Sequence, residues 1–148
     1  MEFRILGKAE QKHIDDAMQK LGVAFPKDYC DFLLHQNGCL TTNYEANQVW
    51  IASLADYIFI DALFGIDLSD DIDVVSITEM FSYDMLPETI LIGESIQHGF
   101  LVLVCHGEDS GVYYWDHTYS FEASTDDANM YCIAESFTGF VEMIGSGK

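Results

Sequence analysis

The sequence predicts an α+β protein, with a mixed or mainly antiparallel central sheet and helices supplied by both chain ends. Three observations carry this. Apolar residues recur at helical spacing over residues 9–21 near one end and 127–144 near the other. Between them, residues 89–92, 100–105 and 112–115 are short apolar runs separated by polar, glycine-containing turns. No segment between those runs is long enough for a crossover helix, so they read as an antiparallel meander.

Residues 9–21 place Ile14, Ala17, Met18 and Leu21 on one stripe, and Gly22 ends the helix. Pro26 sits where a first-turn proline is tolerated, and Tyr29, Phe32 and Leu33 form the next apolar face. Asn37-Gly38 tolerates a left-handed backbone and closes this second helix. Residues 48–54 and 57–64 carry apolar and aromatic clusters of strand type, the second broken by Gly65. An acidic loop follows, then a short helix with Ile77, Met80 and Phe81, ending before Pro87. After the meander, a final helix is predicted over 127–144, carrying Met130, Ile133, Phe137, Phe140 and Ile144. Within Val112-Tyr113-Tyr114-Trp115, alternation puts Tyr113 and Trp115 on one face and Val112 and Tyr114 on the other. Which face is buried stays open.

A chain of 148 residues fits a single domain over 1–148, able to bury roughly 70% of the surface its extended form exposes. Hydrophobic residues make up 49% of it, so the high charge does not signal disorder. No repeat or interdomain linker is visible.

The formal net charge is −19, and it is segregated. Arg4, Lys8, Lys12, Lys20 and Lys27 precede residue 28, Lys148 is the sixth basic residue, and residues 28–147 hold 21 Asp or Glu without a Lys or Arg. Phosphate recognition draws its affinity from Lys and Arg, which argues against nucleic acid or anionic membrane as a direct partner. A field of this sign speeds encounter with a cationic protein, such as a nuclease that carries basic groups to grip its own substrate. The carboxylates also repel one another. Added sodium chloride is therefore expected to raise the thermal midpoint, and an unchanged or lower midpoint across moderate salt would contradict this.

Cys30, Cys39, Cys105 and Cys132 form no CxxC pair. Cys30 and Cys132 fall in helical patterns and Cys105 in an apolar strand, which predicts reduced, buried thiols in a cytoplasmic protein. No signal-type N-terminus and no apolar run of about 18 residues is present.

Asp67, Asp70, Asp71 and Asp73 offer oxygen ligands to calcium or magnesium. The run lacks the glycine and the distant bidentate glutamate of a calcium loop and reads as a solvated turn. His98, His106 and His117, with Cys105 and Asp116, suggest zinc or acid–base chemistry, but Cys105 and His106 point to opposite faces of a strand. Ser95, Ser110, Ser120, Ser124 and Ser136 lie in no GxSxG elbow, and Gly107 and Gly111 flank a turn rather than forming a phosphate loop. The sequence thus predicts no catalytic residue, no metal site and no cofactor. Trp50 and Trp115, with Tyr44, Tyr113 and Tyr119, are either core packing or anchors of an interface.

One set of motifs runs through Ile14 to Leu21-Gly22, Phe25-Pro26-Lys27-Asp28-Tyr29, Phe32-Leu33 and Asn37-Gly38. It resumes at Ile90-Leu91-Ile92-Gly93, Gly99, Val112-Tyr113-Tyr114-Trp115-Asp116-His117, and Ile133-Ala134 with Ser136-Phe137 and Phe140, sparing the acidic middle. In this order the motifs resemble the SUKH superfamily, which joins a fungal cell-wall glucan-synthesis regulator to bacterial toxin-immunity proteins. The resemblance implies an α+β domain without an established catalytic constellation. For bacterial members it implies neutralisation, by binding, of a toxin encoded alongside, often a nuclease or deaminase.

The chain is more acidic than membership of such a fold requires, and its lack of basic residues between Lys27 and Lys148 fits an inhibitor that covers a cationic cleft. The expectation is a monomeric immunity protein for a basic nuclease-type toxin domain. Its acidic face is assigned first to Asp67, Asp70, Asp71 and Asp73 and second to Glu108, Asp109, Asp116 and Glu122, with Trp50, Tyr113 and Trp115 as aromatic anchors. The alternatives are a cytoplasmic regulatory or scaffold module like the fungal branch, and a small hydrolase whose pocket joins distant residues.

Overall fold

Strands β1 (Phe3–Ile5), β2 (Cys39–Thr41), β3 (Gln48–Ile51) and β4 (Asp56–Leu63) form one half of a sheet in the computed structural model, which describes residues 1–147. Lys148 lies outside the described residues. Strands β5 (Thr89–Ser95), β6 (Phe100–Val104), β7 (Gly111–Trp115) and β8 (Met130–Ala134) form the other half. The order is β1-β2-β4-β5-β6-β7-β8, with β3 paired to β4, and every strand pair is antiparallel. Parallel pairing occurs as an isolated bridge between Gly65 and Asp73. The meander predicted for residues 89–115 is present, and the short turns allow no other connection.

Helix α1 (Gln11–Leu21) buries Ile14 and Ala17, and Gly22, at φ 67°, closes it by donating its N–H to Met18 O at 2.8 Å. Helix α2 (Lys27–His35) starts after Pro26 and buries Tyr29 and Leu33. Asn37 does more than follow that helix. Its buried amide donates to Ile66 O at 2.9 Å and accepts from Ile66 N at 2.8 Å, pinning the chain that leaves β4. Gly65 allows this approach, because a Cβ there would lie 2.5 Å from Asn37 Oδ1. Helix α3 (Val74–Met80) packs on β5, and α4 (Phe137–Met143) packs on β7 and β8. Asp28 ties α2 to α4 by accepting from Thr138 N and Oγ1, each at 3.0 Å, and Phe137 sits 4.9 Å from the rings of both Tyr29 and Phe32.

The single helix predicted over 127–144 is corrected by the structure. Met130–Ala134 is strand β8, and the helix begins only at Phe137, where Ser136 Oγ accepts from Gly139 N at 3.0 Å. Strand pairing explains the difference: β7 needs partners for its outer N–H and C=O groups, and Tyr131 and Met130 supply them opposite Tyr114 and Trp115. Cys132 is consequently exposed on β8 rather than buried in a helix. Cys39 and Cys105 are buried, and burial pushes their thiols up to about 11 and about 12, which keeps them protonated and inert. The three-residue strands β1 and β2 escaped the sequence reading, since so short a segment takes its conformation from its partner.

One cluster of buried side chains runs from Ile14 and Leu33 through Ile58, Ile60, Leu101 and Val112 to Phe140. Full burial of each large aliphatic or aromatic member contributes roughly 1.5–3 kcal/mol.

A candidate protein-binding surface on the outer face of the sheet

Tyr114 and Val112 face the core with no exposed surface, and the Tyr114 hydroxyl lies 2.7 Å from Ser95 Oγ. Burial lifts that phenol to about 12. Alternation then forces Tyr113 and Trp115 onto the opposite face, where Tyr113 lies across from Val102 and Trp115 from Met130. The chain leaving α3 covers part of this face, with the Phe81 ring 4.9 Å from Phe100 and 6.1 Å from Trp115. It does not cover the rest. Between the strands and the segment Met85-Leu86-Pro87 runs a groove of about 500 Å³, floored by Val102, Val104, Tyr113, Trp115 and Met130. Leu86 and Met130, 74% and 43% exposed, bring apolar surface together at this groove. The rim carries Asp84, Glu108 and Asp109, and the His106 imidazole lies 3.6 Å from Glu88.

A smaller cavity of about 350 Å³ adjoins the groove and shares Asp84 and Trp115 with it. Phe81, Tyr83, His117 and Tyr119 complete its aromatic lining, and Asp126 and Asn129 its polar one. His117 stacks on Phe100 at 4.6 Å, and burial lowers its pKa, so the ring is neutral at neutral pH. The wall formed by residues 116–129 is organised by Asp116. This carboxylate has no exposed surface and accepts from Ser120 N and Phe121 N, each at 2.9 Å, and from Ser124 Oγ at 2.6 Å. The Tyr119 hydroxyl donates to Asp126 and fixes the ring at the cavity mouth. No Lys or Arg lines either cavity.

The acidic runs read from sequence separate accordingly. Glu108 and Asp109 stand on the groove rim, and Glu122 is exposed on the 116–129 segment. Asp116 is a correction: it holds backbone together and presents no surface charge. Asp73 is another, being buried, capping α3 by accepting from Ser76 N at 3.0 Å and holding the preceding loop by accepting from Leu68 N at 3.1 Å. Asp67, Asp70 and Asp71 are exposed, but Asp67 lies 3.6 Å from His13 Nε2, and Lys20 lines the same hollow beside α1. Asp16 and Glu79 line that hollow as well, so Lys20 is its one Lys or Arg among several carboxylates.

Of the aromatic anchors, Trp115 is only 7% exposed and forms a floor rather than a projection. Tyr113 is half-buried and donates its hydroxyl to Asp109 O at 2.7 Å. Trp50 lines neither cavity; it pairs with Tyr57 at 5.0 Å on β3 and β4, and Tyr44 packs on Phe59. Sequence reading missed Tyr83, Asp84, Leu86 and Asp126. A signal existed, since Tyr83 and Leu86 stand beside Pro87 outside the helical stripe, where apolar residues have no core to enter.

Among the described residues no three His, Cys, Asp or Glu side chains, His98, His106 and His117 included, are placed to hold a metal ion. Nor is any described helix long and apolar enough to cross a membrane. The groove instead presents an apolar floor with a carboxylate rim. No curated protein matches the chain. The family model described as SMI1 / KNR4 family (SUKH-1) matches residues 8–143, from before α1 to the end of α4, so the chain belongs to the SMI1/KNR4 (SUKH-1) family.

Proposed function

We propose that this SUKH-1 member is an immunity protein that binds and neutralises a basic, nuclease-type toxin domain. The observation that supports this best is the pair of adjoining cavities, one with an apolar floor and one lined by aromatic rings and polar groups, with carboxylates at Asp84, Glu108, Asp109 and Asp126 and no Lys or Arg in their lining. Family membership suits either toxin immunity or regulation of cell-wall synthesis. The segregated charge favours immunity, because a nuclease must itself present a cationic cleft. The apolar floor supplies affinity through desolvation, and the carboxylates speed and orient the encounter. Glu108, Asp109 and Glu122 are accordingly assigned to the contact ahead of the 67–73 loop, whose Asp73 is buried and whose hollow also holds Lys20.

Co-expression with the toxin domain encoded beside it tests the reading. Growth rescue and a co-purifying complex are expected, and reversing Glu108 and Asp109 to Lys should slow association roughly tenfold and flatten its salt dependence. Toxicity that persists with the protein present, and no complex at low salt, would sink it.

A further inference from the structure

We propose that the smaller cavity is a receptor for one arginine side chain of the partner, holding its guanidinium among aromatic rings and between Asp84 and Asp126. This deepens the binding reading above and rests on it for the nature of the partner.

The lining has the chemistry of a cation site throughout. Phe81, Tyr83, Trp115, His117 and Tyr119 supply ring faces and edges around a space of about 350 Å³, at the small end of ligand pockets and suited to one side chain. Ring quadrupoles attract a cation, and desolvation strengthens that attraction. Two carboxylates supply the opposing charge, and His117 contributes no competing positive charge.

The choice of arginine follows from shape and hydrogen bonding. A guanidinium is planar, so it can lie against a ring while its N–H fork meets carboxylates in its own plane. An ammonium is a compact, strongly hydrated point charge and cannot stack in this way. A quaternary ammonium has no N–H to offer Asp84 and Asp126. The wall is also built beforehand: Asp116 holds the turn at residues 120–124, and Asp126 anchors Tyr119. A prebuilt wall reduces the ordering cost of binding. Because Trp115 and Asp84 belong to both cavities, an arginine beside an apolar residue could occupy the cage and the groove together.

The test is an NMR titration of the ¹⁵N-labelled full chain with N-acetyl-arginine amide. N-acetyl-lysine amide and sodium chloride at matched ionic strength run in parallel. Saturable shifts are expected at the Trp115 indole N–H and at the amides of His117, Tyr119 and Asp126, with the lysine compound roughly fivefold weaker. Tyr83 and Asp84 are exposed, so Tyr83→Ala and Asp84→Asn keep the fold. Each should weaken arginine binding by roughly fivefold, while Asp70→Asn leaves it unchanged. Shifts reproduced by sodium chloride, shifts centred on residues 67–73, equal binding of the lysine compound, or indifference to Tyr83→Ala would each overturn the proposal. Failed toxin rescue with intact arginine binding removes the immunity reading alone. Intact rescue without arginine binding removes the cage alone.

Discussion

Replacing Asp116 with Ala is expected to destabilise the protein by roughly 3–5 kcal/mol, a large part of the stability of a domain this size. The carboxylate is fully buried, and its partners are two backbone N–H groups and the Ser124 hydroxyl rather than a Lys or Arg. Alanine removes both acceptor oxygens and with them all three hydrogen bonds, and the donors cannot recover water without opening the segment. The effect spreads along a chain of bonds: Ser124 also meets the Tyr131 hydroxyl at 2.8 Å, and Ser120 Oγ donates to Gln97 O at 2.7 Å. Asp116→Asn keeps one acceptor oxygen and should cost about half as much. Urea denaturation of the two variants decides the matter. A loss below about 1 kcal/mol for Asp116→Ala would show that the segment is held by something else. Because the same segment carries His117, Tyr119, Asp126 and Asn129 of the smaller cavity, Asp116→Ala should also weaken partner binding without touching the partner.

The second large effect is expected at Gly99, where alanine should cost about 3 kcal/mol, the upper range for an overpacked core. A Cβ at this position would overlap Cζ and Oη of Tyr114. That ring cannot swing aside. It is fully buried, its hydroxyl is held by Ser95 Oγ, and Phe121 packs edge-on at 6.2 Å. Gly7 is the control, since a Cβ there meets nothing within 4 Å, and its replacement by alanine should stay within about 0.5 kcal/mol. A double-mutant cycle separates crowding from backbone effects. In a Tyr114→Leu background the cost of Gly99→Ala should fall by more than about 1 kcal/mol, and an unchanged cost would place the strain elsewhere.

Gly99 and Asp116 also show how the sequence and the fold share the information. Both stand among the residues that carry the family resemblance, yet their roles differ from what position alone suggested. Gly99 reads as a turn glycine, but the space beside Tyr114 is what requires it. Asp116 reads as surface charge, but it is an internal acceptor. Asn37 reads as a helix terminator, and it proves to clamp Ile66 from 29 positions away.

The chain by itself determined α1, α2, the antiparallel meander and the segregation of charge. Those features rest on neighbours in sequence: apolar spacing of 3.6 or 2, glycine at a left-handed position, and a simple distribution of Lys and Arg. Only the tertiary structure decided that Met130–Ala134 pairs with β7, that Val112 and Tyr114 turn inward, and that Leu86 and Tyr83 stand beside Trp115. Each of these depends on what a partner strand or a distant segment offers. Hydrogen bonds between strands and the burial of one sheet face are settled by packing, and local spacing does not encode them.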